Sequence, residues 1–74
     1  MVMSKKYQPK YQQLLKKLRQ ARIKAGFTQV EVGEKLKRPQ AYISKIERGE
    51  RSVDALELSE FAKLYKKPLD YFVN

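Results

Sequence analysis

Hydrogen-bond donors and positive charges, rather than nucleophiles or metal ligands, are the chemically capable groups of this chain. Its 74 residues include no His and no Cys. The commonest general base and metal ligand are therefore missing, and no thiolate site or disulfide can form. Its carboxylates are scattered, so no enzyme activity, metal site or cofactor is expected. What the chain does present is a helical spacing of recognition groups. At about 100° per residue, Ala41, Ser44, Lys45 and Arg48 fall opposite Ile43 and Ile46, with Gln40 at the exposed start. Gln can pair bidentately with adenine, Lys can donate to guanine acceptors, and an Ala methyl can meet that of thymine. A merely solvated helix face is the plain alternative. The basic field around it favours base readout, with Gln40, Ala41, Ser44 and Lys45 as the expected contacts.

Charge supplies that field. Seventeen Lys and Arg stand against eight Asp and Glu, a net charge of +9, which favours an anionic partner. Residues 1–26 carry eight of the basic residues and no acid, whereas residues 52–74 carry three bases against four acids. The last third is thus free for contacts that are not electrostatic. No apolar run approaches a membrane span or a signal-peptide core, so a soluble, cytoplasmic chain without membrane contact is expected. A chain of this size builds one modest core, and without disulfides or metals the available staple is oligomerisation.

The elements that must position the recognition groups can be read from periodicity and punctuation. Pro9 suits a first helical turn, and Leu14, Leu15, Leu18, Ala21 and Ala25 recur at helical spacing up to Gly26. Thr28 with Glu31 forms a capping box for a second helix over about 28–36, carrying Val32, Gly33 and Leu36. Pro39 opens a third helix, about 39–48, closed by Gly49. Asp54 caps a fourth with Ala55, Leu58, Phe61, Ala62 and Tyr65 toward the core, and Pro68 starts a last turn burying Leu69 and Phe72. No segment alternates as a half-buried strand does. The fold expected is all-α, with five helices.

Two short helices joined by a tight turn in a basic all-α domain form a helix-turn-helix, whose second helix enters the major groove. The stretch from Thr28 to Leu36, followed by Gln40 to Arg51 with its run Ile43-Ser44-Lys45-Ile46-Glu47-Arg48-Gly49, resembles the Cro-type, lambda-repressor-like (XRE) helix-turn-helix family. Leu18-Arg19, Arg22 and the small Gly33 at the helix crossing belong to the same resemblance, which covers about residues 14–73. It departs from the pattern at Lys37, where the family usually has Gly, and at Arg38, usually apolar. The resemblance implies a five-helix lambda-repressor-like domain with the helix-turn-helix at helices two and three. It implies a phosphate contact at Gln29 and a partly buried structural ion pair between Arg22 and Glu47. Arg38, Tyr42, Arg48 and Arg51 are also expected to meet phosphates, whereas the lysine-rich face of helix one is better explained as solvated.

These readings divide the chain into a flexible basic arm, residues 1–8, and one DNA-binding domain, residues 9–74, with a C-terminal dimerisation surface. Leu56 and Leu64 project from helix four away from its core arc, and Tyr71 and Val73 lie near the same end. The four are expected at the interface of a homodimer, although the two leucines could instead cover the loop before helix four. The function expected is a double-stranded-DNA-binding transcriptional regulator, a repressor or controller on a palindromic operator. The alternative is an antitoxin-type module whose main partner is a toxin protein.

Overall fold

A computed structural model describes residues 8–73, and they form five helices: α1 Pro9–Lys24, α2 Gln29–Leu36, α3 Gln40–Glu47, α4 Ala55–Leu64 and α5 Leu69–Val73. Among the described residues there is no strand, and no helix is long and apolar enough to cross a membrane. The expected basic arm lies outside the described residues except for Gln8, which is the N-cap of α1. Three of the starts follow directly from the sequence. Pro9 occupies the first turn of α1, and Thr28 and Asp54 each close a capping box, with Glu31 at α2 and Glu57 at α4. These boxes satisfy N–H groups that a helix cannot bond internally.

The helix ends share one device. After α1, α2, α3 and α4 a single residue enters the left-handed region: Gly26 (φ 83°), Lys37 (φ 58°), Gly49 (φ 78°) and Lys66 (φ 57°). The next N–H then reaches back to the last turn, as from Arg38 to Gly33 (2.8 Å) and from Lys67 to Ala62 (2.9 Å). This pattern satisfies the orphan carbonyls of a helix C-terminus.

Leu15, Leu18 and Ala21 of α1, Val32 of α2, and Tyr42, Ile43 and Ile46 of α3 meet Leu58, Phe61, Ala62, Tyr65 and Phe72 in one core. Helix α2 packs on α3, α1 packs on α3 and α5, and α4 packs on α5. Tyr11 adds a tie, its hydroxyl accepting from the Val53 N–H at 3.3 Å. Two expected core positions are corrected: Ala55, in the first turn of α4, and Leu69, opening the last turn, are exposed. Gly33 is buried at the α2–α3 crossing, where a Cβ would lie 2.7 Å from the Arg38 carbonyl oxygen. That clearance lets the turn pack against α2, and so fixes how α3 projects.

Candidate nucleic-acid interface

A polar chain runs from α1 to the tip of α3. Arg22 donates from Nε to Glu47 Oε2 (2.7 Å) and from Nη2 to Oε1 (3.2 Å), while its Nη1 donates to the Phe27 carbonyl (3.0 Å). Both side chains are nearly covered, at 11% and 6% exposure. Gln29 Nε2 also donates to Glu47 Oε1 (3.1 Å), and Gln29 Oε1 accepts from Gln40 Nε2 (3.4 Å). The ion pair implied by the resemblance is therefore bidentate, and it orients Gln29, which in turn orients Gln40. Nearby, burial and the Glu47 carboxylate push the Tyr65 hydroxyl pKa up.

Outward from this chain, Gln40, Ala41, Lys45 and Arg48 are exposed and Ser44 is half-buried, while Tyr42, Ile43 and Ile46 face the core. The expected readout face is thus a surface of α3. The Arg48 guanidinium pairs with Glu50 (Nε to Oε2, 3.1 Å), with both side chains well exposed. Such a surface pair is worth at most about 1 kcal/mol and leaves Arg48 able to exchange partners. Gln29 sits at the first helical position of α2, where main-chain N–H groups point outward.

Tyr42 corrects an expectation. Rather than reaching a phosphate, it is only 9% exposed, stacks on Phe61 (6.4 Å between ring centroids) and buries its hydroxyl. Burial and the neighbouring Glu57 carboxylate push its pKa up to about 12. Its spacing from Ile46, four residues on, was the signal for a core position. Two of the expected phosphate contacts pack against this ring. The guanidinium carbons of Arg38 and Arg51 lie 4.9 and 4.6 Å from its centroid. Arg51 also pairs with Glu57 at 3.0 Å. Glu57, a buried carboxylate outside the expected site, is marked in the sequence as the fourth residue of the box Asp54-Ala55-Leu56-Glu57.

The C-terminal residues divide. Leu56 is 80% exposed and Val73 is exposed, whereas Leu64 and Tyr71 are half-buried and pack partly against the core.

Helix-turn-helix geometry, a polar recognition face and flanking cations define a DNA-binding domain. Comparison agrees: the model of the helix-turn-helix family matches residues 18–72. The chain belongs to this family, as a Cro- and lambda-repressor-like, XRE-type protein. No curated protein and no solved structure matches it significantly. It is a DNA-binding regulator whose partner is double-stranded DNA.

Proposed function

We propose that the chain acts as a homodimeric repressor on a palindromic operator. In this reading α3 lies in the major groove, with Gln40, Ala41, Ser44 and Lys45 against base edges. Arg38, Arg48 and Arg51 meet backbone phosphates, as does Gln29 through the N-terminus of α2. The observation that carries the reading is the coupling of Gln40 through Gln29 to the buried Arg22–Glu47 pair. A surface glutamine held this way presents its remaining amide groups in a fixed direction, as bidentate pairing to a base requires. Bound at the operator, the protein would block polymerase. Leu56 and Val73, exposed in the near-neutral last third of the sequence, supply apolar surface for a partner copy.

Competition with single-base operator variants tests the assignment. Gln40→Ala and Lys45→Ala are each expected to relax preference at particular positions by roughly 1–3 kcal/mol. Arg48→Ala is expected to weaken all sequences evenly. A change of preferred base with Arg48→Ala, and none with the other two, would reverse the roles.

A further inference from the structure

Arg38 and Arg51 belong to different elements. Arg38 lies in the turn before α3, and Arg51 follows it, yet both guanidinium groups lie within 5 Å of the centroid of one ring, that of Tyr42. That ring cannot follow them if they move, because it is buried and stacked on Phe61 with an interplanar angle of 12°. Arg51 is tethered again from behind. Its Nη1 donates to Glu57 Oε2 at 3.0 Å, and the same carboxylate is pinned by the Asp54 N–H on Oε1 at 3.0 Å. The α4 capping box therefore fixes the carboxylate that fixes the arginine.

The charge of this cluster is unbalanced. One carboxylate faces two guanidinium groups, and Arg38 makes no ion pair among the described residues. Both arginines are exposed, so their outer N–H groups are open to solvent. Planar guanidinium groups held over a ring keep outer N–H donors that can meet phosphate oxygens.

We propose that Arg38, Arg51, Tyr42 and Glu57 form one pre-organised clamp for the DNA backbone, in which Tyr42 and Glu57 are positioning residues that do not touch DNA. The proposal rests on the reading of Arg38 and Arg51 as phosphate contacts. It adds that the core and the α4 cap order these side chains before DNA arrives, so that binding does not bear that ordering cost. Glu57 then strengthens DNA binding although it is an anion beside a polyanion.

That sign makes the test sharp. Glu57→Gln keeps the size and capping ability of the side chain, since Gln serves at the third position of a capping box, but it loses the ionic tether. By charge alone, removing an anion strengthens binding to DNA. The clamp predicts the reverse: affinity for the duplex that the wild-type protein selects from a random pool falls about two- to tenfold, the ordering cost of one long side chain. In an Arg51→Ala background the same substitution should produce no loss. Arg51→Lys retains the charge without the planar fork, is expected to bind more weakly than wild type, and carries the test if melting shows that Glu57→Gln is unfolded at the assay temperature. Wild-type or tighter binding by folded Glu57→Gln, or by Arg51→Lys, overturns the clamp. If Arg51→Ala meanwhile lowers affinity and reduces the salt slope by about one, the phosphate contact itself survives. If Arg38→Ala and Arg51→Ala both leave affinity and salt slope unchanged, the phosphate reading falls and takes the clamp with it.

Discussion

Glu47 accepts from Arg22, 25 residues earlier, and from Gln29, 18 residues earlier, so a single carboxylate aligns α1, α2 and α3. Taking away Arg22 strands that carboxylate where little water reaches it. Arg22→Ala is therefore expected to cost roughly 3–5 kcal/mol in denaturant unfolding, with part recovered in the double variant with Glu47→Ala. An unchanged midpoint would show the pair to be ornamental. Glu57 predicts a pH effect. Burial raises its pKa, but the Asp54 N–H, the Tyr42 hydroxyl and Arg51 more than offset this and hold it below its ordinary 4.5. A carboxylate with a depressed folded pKa contributes stability in full above its unfolded pKa and loses it as pH falls through the folded value. The stability advantage of wild type over Glu57→Gln should hold above pH 4.5 and shrink below it. A constant difference through the acid range would contradict this. Of these two carboxylates, the resemblance pointed to the role of Glu47. The capping role of Glu57 is written in the local spacing from Asp54, whereas its pairing with Arg51 depends on how the loop after α3 folds back.

Helix boundaries were the most legible feature, because Pro9, Thr28 with Glu31, Gly49 and Asp54 each act within a few residues of chain. The packing of individual side chains was less so. Tyr42 shares the apolar side with Ile46 but lies beneath the cations Arg38 and Arg51, and its burial depends on α4 supplying Phe61. Leu69 has the right character for the core and stays exposed because the last turn presents Phe72 instead. Lys37 stood out only as a departure from the family pattern, and no local sequence signal marks Lys66. Both hold left-handed backbone that side chains with a Cβ disfavour by about 1 kcal/mol. Lys37→Gly and Lys66→Gly are each expected to raise stability by up to about 1 kcal/mol in thermal or denaturant melts. A loss at either site would mean that the lysine makes a stabilising contact greater than its backbone strain.

Across the whole molecule, charge is divided unevenly along the chain. The basic residues crowd the first two thirds of the chain, which hold the helix-turn-helix, while the last third carries exposed Leu56 and Val73 with almost no net charge. Two copies joined through that third would present two α3 helices to one face of a duplex, roughly 34 Å apart, one DNA turn. In the proposed function the chain reads sequence, and reads it in symmetric pairs. Selection of bound duplexes from a random DNA pool by the wild-type protein tests it most directly. The expected result is a consensus with two inverted half-sites centred about one helical turn apart. Recovery of all sequences alike, or of a single half-site without a symmetric partner, would contradict it.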